Sequence, residues 1–278
     1  MATRGLSRSP AAFRARGHPQ PPAAGRRRPG GGRRVLTPAA NRSPDGGSAP
    51  SVAAMGSVTT AAYDAYADWY EEFMSAASGD YIARVHTAIE DLLGAGEGVC
   101  LDVCCGTGAH APALAALGWT PVGVDLSRGQ LRHAVRRLPV AVADASALPL
   151  ADASVPAAAC VLASTDVPDY AAVLRETARV LRPGGRFLHL GVHPCFVGAF
   201  ADWSDRPRIV VDARYSDRSR SFDAWSPAGV RARVGAWHLP LADLLNHAVA
   251  AGLRLVRTVE AGPGGVPDLL GFLAVKER

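Results

Sequence analysis

The stretch "LDVCCGTGAH", residues 101–110, runs from apolar residues into a glycine turn and sets Asp102 inside the apolar run. A strand buried on both faces has no water for a carboxylate, so Asp102 needs a reason. The glycines let backbone approach a ligand closely at the start of a helix. "GTGAHA" fits the loose pattern G-x-G-x-x-A, and Asp125 follows Gly106 by nineteen residues. That pattern alone is weak, because a nicotinamide dinucleotide enzyme also shows it.

The surrounding chain alternates strands and helices. "GVCLDVC" reads as a strand and "AHAPALAALG" as a helix; "TPVGVDL" is a strand and "SRGQLRHAVRRL" a helix capped by Ser127. "VAVADA" and "SVPAAACVLAS" are strands, "DYAAVLRETARVL" a helix, and "PGG" turns into the strand "RFLHLGV". The chain closes with the helix "PLADLLNHAVAAG" and the strands "LRLVRTVE" and "VPDLLGFLAVKE". Strands apolar on both faces, alternating with helices, indicate a parallel sheet covered on two sides.

Charge divides the chain. Residues 1–54 hold ten arginines against one acid, Asp45, and are rich in Pro, Gly and Ser without apolar periodicity. This basic tail is expected to be disordered, and a misassigned start before Met55 explains it better than a transit peptide, whose helix its prolines would break. Residues 55–278 carry 20 bases against 24 acids, so the net charge of +5 belongs to the tail. A mildly acidic body disfavours nucleic acid as a partner. No apolar run reaches the length that spans a bilayer, so no membrane partner is expected. Five cysteines, an odd number without a C-x-x-C pair, point to reduced thiols, a cytoplasmic location and no metal.

Asp102 separates the possible ligands. A pyrophosphate would be repelled by a carboxylate behind the turn, whereas a nucleoside carrying an ammonium group would be attracted. S-adenosylmethionine is such a ligand. Asp102, Asp125 and Asp144 end three successive strands and match its ammonium, ribose and adenine in order.

These motifs make the chain resemble the class I S-adenosylmethionine-dependent methyltransferases, particularly the small-molecule branch with an "LDxGCGTG" first motif. "LDVCCGTG", "VGVDLS", "VADASALPL" and "ARVLRPGGRFL" occur in family order and spacing, and the likeness covers residues 59–278. It implies a three-layer α/β Rossmann-like sandwich: a seven-stranded, mostly parallel sheet with an antiparallel last strand and a helical, aromatic lid. It also implies methyl transfer from S-adenosylmethionine to a small-molecule acceptor such as a secondary metabolite. Asp102 then serves the methionine ammonium, and Gly106 and Gly108 the methionine and ribose. Asp125 takes the ribose hydroxyls, Leu126 packs on adenine, and Asp144 and Ala145 bond the base. Leu162 and Ala163 line the methionine. Tyr63, Tyr70, Cys104 and Thr107 complete the cofactor set. Cys104 stands where the family usually has glycine. It is expected to be tolerated as a small side chain rather than strained by a positive φ.

Two lids flank the strand ends. "TTAAYDAYADWYEEFM" puts Tyr63, Tyr66, Tyr70 and Phe73 on one helix face, and "DYIARVHTAIEDLL" forms a second helix, giving an N-terminal lid over residues 59–94. An irregular insertion, 194–238, holds Phe196, Phe200, Trp203, Tyr215, Phe222, Trp225 and Trp237. Most of these rings are expected to fasten the lids, with two or three touching substrate.

A hydroxyl acceptor needs a base. His193, ending the fifth strand, is the first candidate and is expected to face the sulfonium; His238 is second, and Asp166 also reaches the substrate region. His189 reads as core, and His110, His133 and His247 as solvated helix residues. Three rival functions remain: an RNA or DNA methyltransferase using the tail, a non-catalytic S-adenosylmethionine binder, and a nicotinamide oxidoreductase, which Asp102 disfavours. "STDVPDY" after the fourth strand lacks the D/N/S-P-P-aromatic motif of amino-group base methylators.

Overall fold

The computed structural model describes residues 61–76, 79–205, 208–223 and 229–278. The basic tail, Thr59 and Trp225 lie outside the described residues.

Seven strands form one sheet: β1 (Val99–Val103), β2 (Thr120–Asp125), β3 (Val140–Val142), β4 (Val155–Val161), β5 (Leu181–Val192), β6 (Leu253–Ala261) and β7 (Leu269–Lys276). Their order is β6-β7-β5-β4-β1-β2-β3. β1 to β5 pair in parallel, and β7 runs antiparallel to both neighbours, β5 and β6. This is the mostly parallel sheet with an antiparallel last strand that the alternating pattern predicts. β4 lies at the centre with β1 beside it, and the chain order reverses between the two. In open sheets of this kind, ligands bind at that point, beyond the carboxyl ends of the strands.

Both faces of the sheet are dry because successive residues alternate sides. Leu101, Val103, Ala158 and Cys160 join one apolar cluster. Cys100, Ala157, Ala159 and Val161 join the other. The run of alanines in β4 leaves room for large residues on the covering helices. α5 (Tyr170–Val180) supplies Val173, Leu174 and Val180 on the first face. On the second face, α2 (Gly79–Leu93) turns Val85, Ile89, Leu92 and Leu93 inward, one stripe at helical spacing.

Three local differences from expectation have simple causes. The first lid helix splits: Asp64–Tyr66 is a tight 3₁₀ turn, and the α-helix, α1, starts at Ala67 and ends at Ala76. Asp64 Oδ1 accepts from Ser127 Oγ at 2.7 Å and Gly129 N–H at 2.9 Å. This clamp holds the lid's start on the beginning of α4 (Arg128–Ala134), which Ser127 caps through Gln130 N–H at 3.1 Å. Second, β5 begins at Leu181, before the glycines. "PGG" forms a bulge between the pairs Val155–Leu181 and Ala157–Arg186, with Gly184 at φ +77°. Third, His110, read as solvated, is 7% exposed. It precedes α3 (Ala111–Ala116), whose start is drawn against the cavity described below.

The insertion is built from short pieces. Ala201–Asp202 pairs with Val210–Val211, and Arg220–Ser221 pairs with Ala236–Trp237. A short helix, α6 (Val230–Val234), lies between the second pair of strands, and α7 (Leu241–Ala250) follows the insertion. Trp237 N–H donates to the Thr165 carbonyl at 2.7 Å, so the insertion is tied to the loop after β4. No helix among the described residues is long and apolar enough to cross a membrane.

Candidate active site

A cavity of about 350 Å³ opens at the carboxyl ends of β1, β2 and β4. Its floor is the turn after β1. Gly106 and Gly108 have φ of +55° and +75°, which only glycine adopts freely. A Cβ on Gly108 would lie 2.6 Å from a Leu138 methyl, which would have to move. The expectation for Cys104 is overturned: its φ is +58°, in the left-handed region. Position 104 therefore demands the conformation that glycine offers, and cysteine adopts it under strain. Leu162, just after β4 on the same cavity, also has a positive φ, +60°. Strained backbone thus flanks the site just after two adjacent strands.

Asp102 sits behind this turn, 2% exposed, and its Oδ2 has no hydrogen-bond partner. Burial, with Asp125 adding repulsion, pushes its carboxyl up to about 7. The alternative in which Asp102 simply accepts turn N–H groups leaves that oxygen unexplained. Asp125 is held differently. Its Oδ2 accepts from Gly106 N–H at 2.9 Å and its Oδ1 from Ser127 N–H at 2.8 Å. Each oxygen keeps a second lone pair for a ligand. Asp144 Oδ1 accepts from Ser146 N–H and Oγ at 2.8 and 2.7 Å.

Most of the sequence-derived cofactor residues line this one cavity: Tyr63, Tyr70, Cys104, Gly106 and Thr107 on one side, and Asp125, Leu126, Asp144 and Ala145 on another. Leu162 and Ala163 close it at β4. Asp102 and Gly108 stand behind the wall. Tyr63 and Tyr70 meet edge to face at 5.3 Å, forming one aromatic flank. Asp166 lines the same cavity, and its charge raises the Tyr63 hydroxyl further above its usual range, where burial already holds it. The Asp166 carboxyl is itself raised, chiefly by desolvation from the surrounding walls, with Tyr63 and Arg231 acting the other way. Its side chain is open to the cavity, so water entering from there offsets part of that desolvation.

His193, expected to face the sulfonium, does not line this cavity. It is 2% exposed, although Val192 and Pro194 beside it line a second cavity beneath the insertion. Its Nδ1 accepts from Cys195 N–H at 3.1 Å, and its Nε2 lies 2.7 Å from Glu260 Oε1. That pairing assigns the proton to Nε2 and leaves no lone pair for a substrate proton. The ring also packs on Phe196 at 4.6 Å. His189 lies in the core, bonded through Nδ1 to Tyr170 hydroxyl at 2.8 Å.

His238 lies on a second cavity, of about 420 Å³, beneath the insertion. Arg220 and Trp237 line both cavities and so mark their common border. The His238 ring packs on Phe200 at 4.4 Å, and burial lowers it to about 4. Sequence reasoning missed three groups. His110 and Gln130 line the first cavity, buried, with Nδ1 and Oε1 unpartnered. Both follow a ligand-facing loop by a few residues, where the start of a helix points at the site. Arg231 on α6 lines the second cavity. Its irregular surroundings gave no periodicity to read. Among the described residues, no group of three or more His, Cys, Asp or Glu could hold a metal ion.

The site's geometry now meets known proteins. Residues 101–189 match the family described as a methyltransferase domain. By that match the chain carries a methyltransferase domain. Curated relatives include the demethylmenaquinone methyltransferase of Mycolicibacterium gilvum, 40% identical over 89 residues, 32% of this chain and 39% of that protein. The Corynebacterium kroppenstedtii enzyme of that name is 42% identical over 89 residues, 31% of this chain and 38% of the relative. The chain thus spans under half the length of the curated relatives it matches. Among solved structures, an S-adenosylmethionine-dependent methyltransferase from Mesorhizobium loti matches with a TM-score of 0.56 at 23% identity, over 69% of this chain and 95% of that one. A geranyl diphosphate C-methyltransferase from Streptomyces coelicolor, solved with S-adenosylhomocysteine, matches with a TM-score of 0.51 at 17% identity, over 70% of this chain and 77% of that one. At these identities the solved structures establish the fold.

Proposed function

We propose that this chain transfers a methyl group from S-adenosylmethionine to a small-molecule acceptor. The observation that carries this reading is the buried, unpartnered Asp102 carboxylate behind a glycine turn. Such a group is stabilised by a cation arriving from the cavity, and the methionine ammonium is one. Asp125 would hold the ribose hydroxyls with its free lone pairs, and Asp144 the adenine amino group with Oδ2. Leu126, 41% exposed on the cavity, offers apolar surface to the base. Leu162 and Ala163 would line the methionine, with Tyr63 and Tyr70 covering it. Bound S-adenosylmethionine supplies an electrophilic methyl on a sulfonium.

The chain's own part is to align an acceptor and exclude water. Trp237 and Arg220, shared by the two cavities, form the border across which an acceptor in the second cavity faces the first. Asp166 stands on the first cavity with a raised carboxyl, suited to take a proton from an acceptor hydroxyl. His238, neutral at pH 7, is a weaker proton acceptor on the other side. The curated relatives' name, demethylmenaquinone methyltransferase, supports a small acceptor. The excess of acids over bases in residues 55–278 argues against a nucleic acid, and five free cysteines suit a reducing cytoplasm. Labelled S-adenosylmethionine supplied to the full chain with a small-molecule extract, and separately with tRNA and duplex DNA, tests the reading. Label in the small-molecule fraction supports it, and label in nucleic acid alone overturns it.

A further inference from the structure

The second cavity, about 420 Å³, is the size of a small-molecule site. Its walls are uneven in charge. Phe200, Leu239 and Leu244 form an apolar side. Opposite stand three arginines, of which Arg214 is neutralised by Asp212 at 2.8 Å and Asp223 at 3.5 Å. Asp217, also on the cavity, accepts from Ser219 N–H at 2.8 Å. Arg220 and Arg231 have no carboxylate within 4 Å among the described residues. Among the described residues the Arg220 guanidinium bonds the Val234 carbonyl and no other group, and it lies over the Phe222 ring at 5.1 Å. Arg231 is partly buried, and its guanidinium makes no hydrogen bond or ion pair among the described residues; Asp166 and Tyr63 act on it only from a distance. A partly dehydrated guanidinium without a partner is unfavourable unless something anionic completes it.

Resting on the methyl-transfer reading, we propose that the acceptor is a small acid. Its carboxylate or phosphate lies between Arg231 and Arg220, and its apolar body packs on Phe200 and Trp237. Guanidinium suits both anions, because its planar donors pair with two oxygens at once. The same pair of cations sets the acceptor's register, so that its opposite end points past Trp237 to the first cavity.

The test uses the full chain saturated with S-adenosylhomocysteine, titrated calorimetrically with 4-hydroxybenzoate, phenyl phosphate and the neutral 4-hydroxybenzamide. At least one anion binds roughly tenfold or more tighter than the amide. Arg231→Met removes that preference, Arg231→Lys keeps part of it, and neither changes S-adenosylhomocysteine affinity, which also reports folding. The better anion names the class of acid. Equal binding of all three probes overturns the proposal. So does a preference that survives in the Arg231→Met, Arg220→Met double variant. A fall in S-adenosylhomocysteine affinity with the preference intact assigns Arg231 to the cofactor's carboxylate instead and also overturns it. If the parent fails to bind S-adenosylhomocysteine, the methyl-transfer reading fails, while the anion preference measured without it still decides the acid pocket.

Discussion

The Asp125 carboxylate accepts a hydrogen bond from the Gly106 backbone N–H at 2.9 Å, joining the end of β2 to the glycine turn after β1. One side chain therefore shapes the turn and presents lone pairs to the cavity. Asp125→Ala removes both, so S-adenosylmethionine affinity should fall about ten- to a hundredfold. Asp125→Asn retains an acceptor for one N–H and should fall less. Calorimetry on both variants checks the order, and an unchanged dissociation constant in Asp125→Ala would remove Asp125 from the site.

Asp102 makes a prediction with opposite signs. Its carboxyl stands near 7 in the folded protein and about 4 in the unfolded chain. Between those values the folded state holds the extra proton, so the empty protein loses stability as pH rises from about 4 to about 7. Asp102→Asn abolishes that loss. The variant's melting temperature should match the parent's near pH 4 and exceed it above pH 7, by ~2–4 °C for each kcal/mol relieved. Its affinity for S-adenosylmethionine should nevertheless drop, because the ammonium loses its counter-charge. Melting curves against pH, beside calorimetry at pH 7.5, check both signs.

Cys104 is held at φ +58°. Glycine adopts this conformation without strain, and alanine does not. Cys104→Gly should be more stable than Cys104→Ala by about 1 kcal/mol. Denaturant unfolding of the pair measures this directly. Equal stabilities would show that the turn relaxes around a side chain.

His193 bridges Cys195 N–H and Glu260, so His193→Gln should weaken the sheet edge by ~1–3 kcal/mol. Cofactor affinity and turnover per folded molecule should stay at the parent's values. A turnover loss of about 10²–10⁴ without a loss of stability would restore His193 as the base.

The sheet was legible because its strands are apolar on both faces and its helices carry single stripes, patterns that depend on local spacing alone. Asp125 and Asp144 were legible for the same reason: each stands at or just beyond a strand end, and those ends meet at the cavity. His193 was misread because position at a strand's end does not fix which way a side chain turns. Glu260, on a strand 67 residues away, decides that. Cys104 was misread because size and backbone angle are separate demands, and only the folded turn shows which is made. Arg231 was invisible because the insertion has no period, and a cation without a partner is recognised only once its surroundings are known.

The most direct measurement is a calorimetric titration of the full chain with S-adenosylmethionine. The account predicts saturable one-to-one binding with a dissociation constant on the order of micromolar, about −8 kcal/mol. It also predicts a markedly weaker constant in Asp102→Asn. Absence of saturable binding by the folded parent at millimolar S-adenosylmethionine would contradict it.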